Sequence, residues 1–423
     1  MLITWIFVPY KKKVAMKKLS VIVVLMISSM TFSQEEVSQK FGKGFINVVA
    51  QDSSWSMNLG VRIQSLYIGE WDVNETDGIG VGTSSFLIRR ARLKFGGFVY
   101  SPKLQYKIEL GLSNKDLGEV NSRNNFAPKM ILDAVIKWNF YKNFTLWAGQ
   151  TKLPGNRERV LSSANLQFVD RSLLNSKYNI DRDMGVQLRH HFKLGKSFVV
   201  REIFSVAQGE GRNLVQDNFG GYQYTSRLEL LPFGGFESKG DYIGGDQKRE
   251  KKPKLAIGFT YDWNDRAVKD RSNQGSYLTY DTNSDGDVDG YFHSNVSTIF
   301  ADLMFKYKGF SLMSEYAYRT ADNEVQTIVN DDFSETTAAF KVGSGFNVQA
   351  GYLFKNNWEL SMRYTQIVPG GESTSQQYEQ YTLGASKYIV GHKLKVQTDV
   401  SYLQTNHSPN SNLMYRLQFE LHF

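Results

Sequence analysis

The chain has no cysteine in 423 residues. That excludes a disulfide framework, a zinc-thiolate centre and a thiol nucleophile together. Proline is scarce, 8 in all, so little interrupts long runs of regular backbone. One-signed charge is also lacking. The formal +8 includes Lys11, Lys12, Lys13, Lys17 and Lys18, which stand in an acid-free stretch, 1–33. What remains is too mild an excess for a nucleic-acid binder. Beyond Leu19–Phe32 no apolar run reaches the ~18 residues of a membrane-crossing helix. No G-x-S-x-G or H-E-x-x-H pattern occurs. His190 and His191 are adjacent on one strand and so face opposite ways, while His392 and His407 fall in a turn and a loop. An enzyme such as a lipase has no constellation here from which to work.

The single apolar run reads as an export signal. Lys17 and Lys18 precede LSVIVVLMISSMTF, and Ser33 supplies the small residue before a cleavage point. Residues 1–33 are therefore expected to leave the mature chain, with Met16 as an alternative initiator.

What fills the remainder is alternation. Trp55, Met57, Leu59, Val61, Ile63 and Tyr67 oppose Ser56, Asn58, Arg62 and Gln64; Leu255, Ile257, Phe259 and Tyr261 oppose Lys254, Thr260 and Asp262. Such a period of two puts one greasy and one wet face on an extended strand. Sixteen segments of this kind can be read, at 55–68, 86–99, 104–113, 131–140, 144–151, 184–192, 198–205, 222–231, 254–263, 296–307, 310–319, 340–354, 358–366, 380–389, 393–404 and 413–423. Short connections at Tyr100–Lys103, Tyr141–Asn143, Lys193–Ser197, Lys308–Gly309, Lys355–Asn357 and Val390–His392 alternate with long ones at 69–85, 114–130, 152–183, 206–221, 264–295, 320–339 and 367–379. The exception is 232–253, long where a short turn is due. An even strand count, an export signal, this rhythm and a closing strand (Tyr415–Phe423) that ends on an aromatic residue predict an all-β fold, a 16-stranded antiparallel transmembrane β-barrel. It spans 55–423 in the outer membrane of a Gram-negative bacterium, after an N-terminal periplasmic segment at 34–54.

The runs FLIRRARLKFGG (Phe86–Gly97), DAVIKWNFYKNFTLWAGQ (Asp133–Gln150) and PGNRERVLSSANLQFVDRSLLN (Pro154–Asn175) resemble the phosphate-selective porin O and P family, in order along most of the chain. The resemblance implies a sixteen-stranded homotrimeric channel in outer-membrane lipid, narrowed by its third outward loop and lined with Arg and Lys for small inorganic anions such as phosphate or pyrophosphate.

The residues agree in part. Arg offers up to five fixed donors and a charge that persists at any physiological pH, which is what an anion losing its hydration requires. Arg62, Arg90, Arg92 and Lys94 fall on the polar parity and are expected to point inward. Arg89 neighbours Arg90, so both can line the lumen only across a bulge, and the resemblance to the family's paired arginines implies that bulge. Matching to the family adds Arg159 and Arg171 of the third loop. The family's ladder draws further Arg from the loop at 264–295, but here that loop is rich in Asp, with Arg266, Lys269 and Arg271 as its basic residues. It carries Asp281, Asn283, Asp285, Asp287 and Asp289 around Gly286, most of a calcium-loop spacing, with Phe292 where the bidentate acid belongs. Calcium in this external loop is one expectation and a solvated Asx-rich turn the other; no other cofactor is expected. A barrel acting as a scaffold or surface-binding protein is the alternative to a conducting channel.

Overall fold

The structure, a computed structural model, describes residues 41, 44–74, 78–118, 126–215, 218–371, 377–406 and 410–423. The expected signal at 1–33 lies outside them, as do residues 34–40, 42 and 43 of the segment at 34–54. Sixteen strands form a closed antiparallel barrel. They are β1 (Trp55–Asn74), β2 (Gly78–Val99), β3 (Ser101–Gly111), β4 (Ile131–Tyr141), β5 (Phe144–Lys152), β6 (Arg182–Leu194), β7 (Phe198–Ala207) and β8 (Gln223–Leu231). The second half comprises β9 (Lys254–Ala267), β10 (Ser294–Tyr307), β11 (Phe310–Ala321), β12 (Gly343–Leu353), β13 (Trp358–Pro369), β14 (Tyr378–Val390), β15 (Leu394–Thr405) and β16 (Asn410–His422). Each pairs with its sequence neighbour, and β16 returns to β1 from Arg62↔His422 to Asn74↔Asn410. No edge is left to meet hydrocarbon with unpaired amides.

The alternation is inside out relative to a water-soluble sheet. On β9, Thr260, Asp262 and Asn264 are buried while Phe259 and Tyr261 are half exposed. The greasy parity faces outward, where lipid replaces water, and the polar parity fills the interior. The short turns are tight. Lys308 and Gly309 both have positive φ (47° and 94°), the conformation of a two-residue hairpin whose twist suits the flanking strands.

The first hairpin departs from expectation. β1 runs on to Asn74 and β2 begins at Gly78, so the loop expected at 69–85 is mostly ladder. The long loops also carry small hairpins of their own, Val325–Val329 with Glu335–Ala339 and Lys269–Arg271 with Gln274–Tyr277. Near the chain start, Ile46–Val49 pairs with Ser56–Leu59 of β1. It occupies the edge that β16 vacates at Phe423, and Phe45 packs edge-on against Phe423 at 5.9 Å.

Candidate pore constriction

The third outward connection, 153–181, folds into the barrel. Its apolar side chains Leu153, Leu174, Tyr178 and Ile180 pack with Ala207, Phe300, Ala317 and Ile367 of the wall. Each such burial contributes roughly 1.5–3 kcal/mol, enough to hold a loop inside an aqueous lumen. A short helix, Leu173–Tyr178, starts at Ser172, whose hydroxyl accepts from Asn175 N at 3.3 Å and donates to Glu158 at 2.6 Å.

Against this loop stand the arginines of β2. The ladder between β1 and β2 pairs Gln64 with Arg90 and then Ser65 with Ile88. Arg89 is the extra residue, so the bulge that the paired arginines demand is present. Both guanidiniums thereby reach Asp170 of the loop: Arg90 donates at 3.2 Å, and Arg89 donates through Nε at 3.1 Å and also through Nη2. Burial alone would raise the Asp170 pKa. Arg90, Arg89 and Arg416 hold it well below the usual carboxylate range. Arg92 donates to Asp116 at 2.8 and 2.6 Å and to Glu109 at 3.0 Å. On the loop, Arg159 pairs with Asp181 at 2.7 Å, while Arg171 donates to the carbonyls of Glu158 and Leu161 at 2.9 Å each. Burial, with Arg171 and Arg182 close by, pulls the Arg159 pKa well below its ordinary value in spite of Asp181. The same burial, opposed by Glu158 and Asp170, pushes Arg171 down to about 10. Protonated guanidiniums packed among like charges are sites that an anion would relieve.

Two cavities flank this arrangement. The outer, about 470 Å³, lies among the outward loops and is lined by Arg89, Arg90, Arg92, Arg159, Arg171 and other cations, with Asp116, Asp170 and Asp181 as its acids. The inner, about 780 Å³, lies toward the short turns and is lined by Lys94, Lys107, Lys137, Arg189 and Arg201 against Glu109 and Asp133. Arg92, Lys152, Ser163 and Arg182 line both, so the cavities meet there. Lys94 is exposed, and its ammonium group makes no hydrogen bond or ion pair among the described residues.

Of the arginines and lysine expected from sequence, Arg62 alone lines neither cavity. It is buried under the loop, donating to Glu420 at 2.8 Å and Ser163 at 2.6 Å. Sequence reasoning did not single out Lys152, Arg182, Arg212 or Arg416. Lys152 donates to three successive loop carbonyls, those of Arg159 and Leu161 at 2.7 and 2.8 Å and that of Val160. Arg182 pairs with Asp133 at 3.1 Å and Arg416 with Asp399 at 2.7 Å. Inward parity on the last strand was a signal that could have found Arg416; Arg212, on an irregular loop, had no such signal. From the Asp-rich loop, Arg271 does reach the outer cavity. The calcium-like run 281–289 folds with successive Asx turns, Asn283 accepting from Asp285 N at 3.1 Å and Asp285 from Asp287 N at 2.8 Å, and Asp281 accepts from Gly286 N at 2.7 Å across them. No three acidic or imidazole side chains among the described residues converge as a cation site, so the geometry adds no support for calcium.

The sequence profile of the phosphate-selective porin O and P family matches residues 61–421. The chain belongs to that family. As a fold, this porin is similar to the outer-membrane channel DcaP of Acinetobacter baumannii (TM-score 0.53, 13% identity, 90% of this chain and 100% of that one). It is similar also to an anion-selective porin from Comamonas acidovorans (TM-score 0.51, 10% identity, 87% and 100%). An uncharacterized protein of Aquifex aeolicus (strain VF5) is 24% identical over 371 residues, 80% of this chain and 81% of that one. This porin is an outer-membrane protein of a Gram-negative bacterium, and family and fold imply a channel rather than an enzyme.

Proposed function

We propose that this porin passes small inorganic anions passively and prefers them to cations, with phosphate and pyrophosphate as the species that its family suggests. The observation that carries the reading is the double contact of Arg89 and Arg90 on one carboxylate, Asp170. Two cations on one acid leave a fixed positive site beside the junction of the two cavities, and fixed dipoles and charges replace the hydration that an entering anion gives up. The other cations of the outer cavity point the same way. The solved anion-selective porin of Comamonas acidovorans supports the fold of such a channel and no more.

Reversal potentials in planar bilayers test this. A tenfold KCl gradient is expected to give a potential on the chloride side, and phosphate is expected to reduce chloride current by occupying the junction. A cation-selective or unselective wild type would refute the reading. The rival, a scaffold barrel of little conductance, draws on the filled half of the lumen and would be favoured by bilayers that stay silent. We further propose a homotrimer, which unheated gel electrophoresis against heated samples checks, and removal of 1–33 on export, which amino-terminal sequencing of membrane-extracted protein checks.

A further inference from the structure

The connection between β8 and β9, 232–253, is long where its neighbours on that rim are tight turns, and it turns back into the barrel. Phe236 packs inside with Leu231, Ala256, Met304 and Met313. Lys306, on the inward face of β10, donates to the carbonyls of Gly240, Ile243 and Gly245 at 2.8, 2.7 and 2.5 Å. Asp241 accepts from Arg201 at 2.5 Å, Tyr242 donates to Glu229 at 2.6 Å, and Asp246 accepts from Gly309 N at 2.8 Å. The segment also meets the inturned third loop directly: Gly244 N donates to the Asn165 carbonyl at 2.6 Å and Arg157 to the Asp241 carbonyl at 3.1 Å.

The two insertions together cover one side of the lumen. The inward charged residues Glu229, Asp302, Lys306, Glu359 and Lys395, on strands from β8 to β15, are at most 4% exposed, whereas Arg416 of β16 lines the outer cavity. Those of β2 to β7, such as Lys94, Lys107 and Arg201, line the open inner cavity. The segment contributes Lys239 and Tyr242 to that same cavity. Ser238 and Lys239 are both left-handed, with φ of 52° and 57°, a strained conformation for consecutive non-glycine residues that costs on the order of 1 kcal/mol each. Its effect is to leave Lys239 exposed to the passage while Gly240 and Asp241 beside it are buried.

We propose that 232–253 is a second constriction in series with the third loop, confining flow to the wall of β2 to β7, and that Lys239 and Tyr242 set the charge and width of the periplasmic mouth. This requires a conducting barrel but not an anion-preferring one. The absence of native cysteine makes Lys239→Cys a clean test. Modification with a negatively charged methanethiosulfonate, confirmed by mass, is expected to lower single-channel conductance by about one third or more, because it narrows a passage through which every ion must go. In a second variant 233–252 is replaced by Asn-Gly; uncovering the blocked half is expected to raise conductance about twofold or more. Fully modified Lys239→Cys with conductance unchanged overturns the proposal, and it decides the matter if the shortened chain fails to insert. A wild type that conducts without anion preference removes the anion reading and leaves this one standing, whereas a wild type that passes no current removes both.

Discussion

Arg90→Gln removes one positive charge from the wall of the outer cavity and keeps an N–H donor for Gln64 Oε1, which Arg90 now contacts at 2.7 Å. Asp170 retains Arg89, so the loop stays attached while the local excess falls from two cations on one acid to one on one. At about 5 Å in water a unit charge acts on a monovalent ion with ~0.8 kcal/mol, reduced by screening to ~0.5 kcal/mol in 0.1 M salt. An anion loses this amount and a cation gains it, so the anion-to-cation permeability ratio is expected to drop by about fivefold. Doubly charged phosphate loses ~1 kcal/mol by itself, and its block of chloride current should weaken by a similar factor. Reversal potentials at 0.01 and 0.1 M KCl, with Arg90→Lys as the charge-preserving control, measure the effect. A potential equal to wild type in Arg90→Gln would mean that Arg90 is not sensed by the permeating ion, and the electrostatic reasoning would fail with it.

Lys94→Glu changes the charge by two units at an exposed position in the inner cavity, where water screens it; anion preference is expected to fall at low salt and to recover by 1 M, and a salt-independent loss would contradict surface screening. Leu174→Ala empties part of the cluster beneath the third loop, at a cost of roughly 2–5 kcal/mol; current noise from loop movement should rise before the barrel's denaturation midpoint shifts, and quiet channels would argue against that anchoring. For pH, the depressed Asp170 carboxyl contributes attachment that is complete above the ordinary carboxylate value of about 3.9 and is lost as pH falls through its lower folded value. Conductance should therefore be flat from pH 8 to about 5 and change only in stronger acid, and Asp170→Asn should abolish the acid step.

The barrel was legible because each strand has one face in lipid, which enforces a period of two. Legibility failed where that enforcement ends. Residues 78–88 of β2 are exposed on both faces, so their ladder continues without a hydrophobic pattern to announce it, and the hairpin reads as loop. The Arg89 bulge was legible through the resemblance to the family's paired arginines, since parity alone sends Arg89 outward and two adjacent arginines share one lumen only across a bulge. The roles of Arg62 and Arg171 were not, because parity and loop membership cannot tell a cation that lines water from one that binds Glu420 or two carbonyls. The segment 232–253 announced its length, but its Gly, Lys and Asp content suits a solvated loop equally well. Only partners distant in sequence, Lys306 and Asn165, draw it inward.

Arginine is abundant on both sides of this lumen, so its presence alone does not mark the passage. Under the insertions, Arg157 and Arg227 meet Asp302 at 2.7 Å each and Arg227 meets Glu229 at 2.9 Å. There cations and carboxylates match one for one, the groups are mostly buried, and removing either partner would strand a charge at several kcal/mol. Beside Asp170 the match is broken in favour of the cations, and the site borders the outer cavity. A balanced network immobilises the insertions, while the two cations on Asp170, held by the same type of bond, keep a positive potential that a swinging, unpaired arginine could not fix in place.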